Sequence, residues 1–275
     1  MAIESLQALM DAARERDLVE VIISDDCVER GASREDSLAR MRALYAAIRR
    51  SSAGYDPSLR SQSGMVGGDG AKMRAYVARG RTICGDYAGQ VIAQALEMGE
   101  SNACMKCIVA APTAGSCGVL PAVLLPYQRR EGLDDETMVR AMYVAGAIGQ
   151  VIAEKASIAG AAALCYLAGG DAQAVCHAAA MALKSLMGLV CDPIAGLVEV
   201  PCVKRNAAGE MIAMTSADMA MAGIRSAVPP DEVILAMREV GDKMDVSLRE
   251  TGLGGVAGTP FGQKVSKKML RTSEQ

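Results

Sequence analysis

Residues 171–187 read DAQAVCHAAAMALKSLM, and this stretch decides what kind of fold to expect. An acidic start followed by a run of alanines carrying valine, leucine and methionine at helical spacing predicts a helix from Asp171 to about Met187. The same vocabulary runs through the chain, which has no tryptophan, one phenylalanine and 18 methionines. Such a core suits helices packed closely through small side chains, with methionine filling irregular gaps.

Working outward, apolar spacing predicts helices over about 3–15, 33–50, 71–79, 87–100, 115–129, 135–155, 216–226 and 231–250. Ile3, Leu6, Leu9 and Met10 share one face of the first, and Leu38, Met41 and Leu44 point inward from the second. Strand signals are short and few. The expectation is an all-α protein, a single large helical domain over 1–275 with glycine-rich loops, a helical lead-in at 1–50 and a loose tail at 266–275.

The 275 residues carry 29 basic and 32 acidic side chains, a net charge of −3 spread along the chain without blocks. No nucleic-acid or membrane-surface footprint follows, and a small-molecule partner is favoured. The acidic, amphipathic N-terminus is unlike an export signal, and no charge-free apolar run reaches the roughly 18 residues of a membrane span. The expected location is cytoplasmic. Nine cysteines, an odd number without an export signal, point to reduced thiols, metal ligands or small core residues rather than disulfides.

Three motifs could carry chemistry. In APTAGSCGVLPAVL, residues 111–124, Pro112 and Gly115 end an apolar run and Ser116 opens a helix; free amides there, beside the Thr113 and Ser116 hydroxyls, suit a carboxylate, although an ordinary capped helix start has the same residues. In GLVCDPIAGLVEVPCVKRNA, residues 188–207, Cys191 and Cys202 sit beside prolines, at backbone bends that could aim two sulfurs at one metal or could simply bury two thiols. Cys104 and Cys107 form a lone C-x-x-C, which without a second knuckle reads more simply as a pair of ordinary thiols. His177 is the only histidine, so neither a Ser-His-Asp triad nor a histidine-ligated zinc site is supported. The loop SQSGMVGGDGAKM lacks the order of a phosphate-binding P-loop.

Taken together, SQSGMVGGDGAKM, SNACMKCIVAAPTAGSCGVLPAVL, EKASIAGA, LMGLVCDPIAGLVEVPCVKRNA and LRETGLGGVAGTP resemble the α chain of bacterial iron-sulfur-dependent L-serine dehydratase, in matching order from about residue 3 to 265. The resemblance implies a helical catalytic domain holding a 4Fe-4S cluster by three cysteines, two of which map onto Cys191 and Cys202. The open iron would coordinate the carboxylate and hydroxyl of L-serine and assist loss of hydroxide, a base would take the α-proton, and the released aminoacrylate would hydrolyse to pyruvate and ammonia. The candidates for binding the substrate are Thr113, Gly115 and Ser116, supported by Ser63, Gly64 and Asn206; the base is not identified, Lys155 and Lys72 being candidates only by their closeness to the motifs. A separate β chain is expected as partner, in a hetero-oligomer or dimer.

The chain departs from the family pattern in one large respect. The third cysteine normally lies in a Gly-Cys-Gln segment soon after ASI(A/S)GA, and here Ser157–Ala161 runs almost directly into AALCYLAGG. By its following residues Cys165 matches a helix position and not the ligand. Gln62 and Val66 stand where the family has His and Thr. The competing expectation is a cluster-less, non-catalytic binding or assembly subunit.

Overall fold

A computed structural model describes residues 3–111, 113–152 and 156–273. Among them there are twelve helices and no strand: α1 (Leu6–Ala12), α2 (Leu18–Arg30), α3 (Arg34–Ala53), α4 (Asp69–Val77), α5 (Gly85–Ala103), α6 (Val119–Glu131), α7 (Asp135–Ile152), α8 (Ala156–Leu167), α9 (Ala172–Leu186), α10 (Cys202–Met221), α11 (Pro230–Lys243) and α12 (Pro260–Ser273). The all-α expectation holds. Asp171 is the N-cap of α9, its Oδ1 accepting the Ala174 amide at 2.7 Å, and Ser33 and Asp17 cap α3 and α2 in the same way. No helix of the described residues is long and apolar enough to cross a membrane.

The helix α8 lies at the centre, against α6, α7, α9 and α10. Its sequence, ASIAGAAALCYL, is small and apolar on every side, as a helix surrounded by helices must be. Small residues set the spacing: a Cβ at Gly160 would meet Val123 and Ala213, and one at Gly209 on α10 would fall 2.3 Å from Ser157 Oγ. One main core joins residues of α1, α2, α3, α6, α7, α8, α9, α10 and α11, with Leu124, Met138, Ile148, Ile158 and Leu183 fully enclosed.

Besides α8, which the sequence reading does not contain, four elements differ from it. The segment 18–30 is helical, so the lead-in has three helices and not two. On α3 the buried face is Ser37, Tyr45 and Ile48, while Leu44, a residue away and therefore about 100° round the helix, is exposed. The helix expected at 216–226 begins at Cys202, because Pro201 acts as its N-cap residue rather than as a break. The expected loose tail is α12, opened by Thr259, whose Oγ1 accepts the Gly262 amide at 3.1 Å, and packed on the turn at 194–196.

Within this core α10 buries Glu210 completely, and neither carboxylate oxygen has a hydrogen-bond partner among the described residues. Burial alone pushes this carboxyl well above the usual 4.5. Since the folded pKa exceeds the unfolded one, the folded chain holds the proton more tightly. Stability is therefore highest below the ordinary glutamate value and falls as pH rises from there towards the raised value. Replacing Glu210 with Met is expected to stabilise the chain at pH 7 by about 1–3 kcal/mol and to flatten that slope. Urea unfolding at pH 5 and pH 7 measures both; equal midpoints for the two chains would contradict the expectation.

Candidate functional site

The segment 188–206 gathers the motifs of the sequence. Cys191 pairs with the strand-like stretch at 248–250: its amide donates to Leu248 O (2.9 Å) and its carbonyl accepts the Glu250 amide (2.6 Å). The next residue, Asp192, is buried. Its Oδ1 takes the Arg205 guanidinium at 2.6 Å and its Oδ2 accepts the Val256 amide at 2.7 Å, while the same Arg205 nitrogen also donates to Val190 O at 2.9 Å. Gly255, at φ +56°, is what lets the backbone come this close, for a Cβ there would lie 2.1 Å from Asp192 Oδ2. The CDP and GLGGVAG motifs are thus one structural unit.

Glu199 joins the glycine-rich loop to the same segment. It is buried, and its carboxylate accepts the Ser61 hydroxyl at 2.7 Å, the Ser63 hydroxyl, and the Ser63 amide at 3.3 Å. Gly64 turns the chain behind Ser63 at φ +79°, its amide donating to Ser61 O at 2.9 Å. The far end of the loop is held by a second buried acid, Glu100, which accepts the Asp69 amide (2.6 Å), the Gly70 amide (3.2 Å) and the Tyr55 hydroxyl (2.6 Å). Glu100 thereby caps the start of α4.

The third motif meets the first two at α10. Asn206 Nδ2 donates to Gly115 O (3.1 Å) and to Cys202 O (3.2 Å), and Asn102 Nδ2 donates to Ala114 O (2.8 Å). With the Ala114 carbonyl drawn to Asn102, the planar trans peptide aims the Gly115 N–H the opposite way. The local structure is shorter than expected: residues 114–116 make one 3₁₀ turn, α6 starts only at Val119, and the Ser116 hydroxyl is used within the loop, by Ala111 O (3.2 Å) and Thr113 Oγ1 (3.0 Å). Pro112 lies outside the described residues. Thr113 and Cys191 line one cleft of about 370 Å³, together with Arg249 and Glu250.

None of the nine cysteines is in a disulfide. Cys191 is exposed, and half-buried Cys202 is the first residue of α10. Burial pushes the Cys202 thiol up to about 11, and the nearby Cys191 acts in the same direction. A helix start ordinarily favours a thiolate, so burial outweighs it here; a bound cation would reverse the balance, because it stabilises the charged form.

Among the described residues, however, no group of three Cys, His, Asp or Glu side chains is placed to hold a metal ion. Cys165 is not the missing member, for its sulfur lies 3.7 Å from that of Met221. Met221 ends the helix that Cys202 begins, about 28 Å away at 1.5 Å per residue. The thiol pair fits part of a cluster site and leaves it incomplete.

The other candidates are dispersed. Lys72 is exposed and pairs with Asp69 at 2.7 Å on α4, away from the cleft that Thr113 and Cys191 share, and Lys155 lies outside the described residues. Gln62 lines a separate groove with Gly196 and Thr251, and Val66 is buried beneath the glycine loop. Cys104 caps the end of α5 with Cys107 exposed beyond it, and His177 Nδ1 accepts the Ser226 amide at 3.2 Å. Sequence reasoning missed Asp192, Glu199, Asn102, Glu100 and Arg205. For Asp192 and Glu199 the available signal was an acid inside an apolar run, which must be either exposed or partnered.

Residues 12–257 match the family described as serine dehydratase alpha chain. The chain belongs to that family. It is 39% identical over 288 aligned positions to a probable L-serine dehydratase alpha chain of Bacillus subtilis, covering 97% of this chain and 95% of that one. It is 42% identical over 226 positions to the L-serine dehydratase alpha chain of Peptoniphilus asaccharolyticus, covering 76% of this chain and 77% of the relative. Against L-serine dehydratase TdcG of Escherichia coli it is 39% identical over 183 positions, 59% of this chain and 40% of that longer one. The alignment with the Bacillus chain spans 288 positions, gaps included, more than the 275 residues of this chain, so the relative has residues without a counterpart here.

Proposed function

We propose that this chain is the α subunit of an L-serine dehydratase that acts with a β chain to convert L-serine to pyruvate and ammonia. The observation that carries the reading is the convergence of the separate family motifs on residues 188–206, through Glu199, Asn206 and Asp192. Relatives named as L-serine dehydratase alpha chains support the substrate and the need for a second chain.

In this reading the Gly115 N–H, turned outward by Asn102, and the Thr113 hydroxyl hold the serine carboxylate beside Cys191. Asn206 fixes the loop against α10, Ser63 and Gly64 form the neighbouring wall under the hold of Glu199, and Ser116 keeps the turn closed. Cys191 and Cys202 are two ligands of a 4Fe-4S cluster. Among the described residues no third Cys, His, Asp or Glu is placed to join them.

Anaerobic reconstitution with iron, sulfide and a β chain is expected to give a brown protein that forms pyruvate from L-serine. A colourless, metal-free chain that folds, binds the β chain and forms no pyruvate would instead establish a non-catalytic subunit.

A further inference from the structure

We propose that a second cleft, between the C-terminal half of α3, the end of α6 and the start of α7, binds a phosphorylated small molecule. It is an open cleft of about 840 Å³, in the range that holds such ligands. Four guanidinium groups line it, Arg42, Arg49, Arg50 and Arg129, against two carboxylates, Asp135 and Glu136. The charge does not balance.

Two of the four arginines are satisfied. Arg42 binds both oxygens of Glu136, at 2.6 and 2.9 Å, and Arg49 is paired with Asp135. Among the described residues no carboxylate pairs with Arg50 or Arg129. Partial burial at the cleft wall, followed by repulsion from Arg74, holds Arg129 below the usual guanidinium value. The field of Glu97 also reaches Arg129, but both oxygens of that acid are taken by Arg74, at 2.7 and 2.8 Å. Tyr45, the other titratable group in the cleft, supplies no negative charge: burial pushes its hydroxyl up to about 12, and that hydroxyl donates to Gln128.

An arginine fork recognises an oxyanion through two parallel N–H bonds, and two forks without a carboxylate partner, one on α3 and one on α6, select a ligand carrying more than one negative charge. A cleft that concentrates uncompensated positive charge also raises the local concentration of such an anion. The alternative use of Arg50 and Arg129 is to complement the C-terminal dipoles of α3 and α6, which would make them contributors to stability and not to binding.

The test uses the full chain in low-salt buffer free of phosphate and sulfate, with inorganic pyrophosphate as probe and citrate as the carboxylate control, followed by titration calorimetry. Saturable pyrophosphate binding is expected, stronger than that of citrate. Arg50→Gln and Arg129→Gln should each weaken it about tenfold, the loss of one charge-assisted contact, with little change in melting temperature. Arg129→Lys, which keeps the charge and loses the fork, should weaken it as well. Absent saturation, citrate binding more tightly than pyrophosphate, or affinity unchanged in the variants would overturn the proposal. So would a loss of melting temperature in both Gln variants with pyrophosphate affinity intact.

Discussion

An Asp192→Ala chain is expected to lose about 3 kcal/mol of stability and to release the stretch at 246–257. The substitution removes the buried partner of Arg205 and the acceptor of the Val256 amide together. Breaking one half of a buried ion pair costs about 3–5 kcal/mol when both halves are enclosed. Arg205 retains 30% exposure and can recover part of its solvation, which places the expectation at the lower end. The local effect is larger than the global one. Residues 248–250 pair with Cys191 only where Asp192 holds 255–256 against the segment, so the wall of the cleft around Cys191 should become accessible to protease. Asp192→Asn, which keeps an acceptor for Val256, should give an intermediate result. Urea unfolding with limited proteolysis measures both; full stability in Asp192→Ala with an undigested 246–257 stretch would show that Gly255 and Cys191 hold it unaided.

The class of the fold was legible because α5, α7, α9 and α11 each carry apolar residues at helical spacing over three turns or more. What escaped was the opposite case. In α8 there is no stripe to find, since small apolar residues cover every face, and its alanines and glycines read as motif and not as helix. The first half of α10 was hidden by Pro201, which punctuates the sequence like a break and in fact stands at the N-cap, where a missing amide costs nothing. The amphipathic α12 was obscured by its lysines and terminal position.

The candidate site was legible as words rather than as geometry. Spacing alone left Cys191 and Cys202 ambiguous, and the surrounding motif wording made cluster ligation the expectation. Their convergence with Thr113, Gly115, Ser63 and Asn206 depends on groups that carry no signature of their own. Glu199 looks like one acid in an apolar stretch, yet it is the link through which a loop 136 residues away reaches the segment 188–206. Asp192 stands in the same relation to Val256. Partners so distant along the chain cannot be paired from a single sequence, because neither periodicity nor capping rules relate them.

The second large effect is expected at Cys202. Its replacement by Ser should lower both the iron retained after anaerobic reconstitution and the pyruvate formed with a β chain by at least about 100-fold, since loss of a ligand exceeds the 10- to 100-fold cost of disturbing a ligand's neighbours. The fold should survive. Cys202 is the first residue of α10, a position where serine is well tolerated, and Asn206 accepts nothing from its side chain but donates to its carbonyl. Cys191→Ser should match it in iron and activity, because the proposed site needs both thiols, and Cys191 lies near enough to Cys202 to act on its titration. Cys165→Ala provides the contrast: this thiol is fully buried beside Met221, so its loss should reduce stability by about 1 kcal/mol while iron and pyruvate formation remain. Iron analysis and circular dichroism on the three variants separate a ligand from a core residue. If Cys202→Ser keeps its iron, or if Cys165→Ala loses it, the assignment of the pair fails and the missing ligand must be sought elsewhere in the chain.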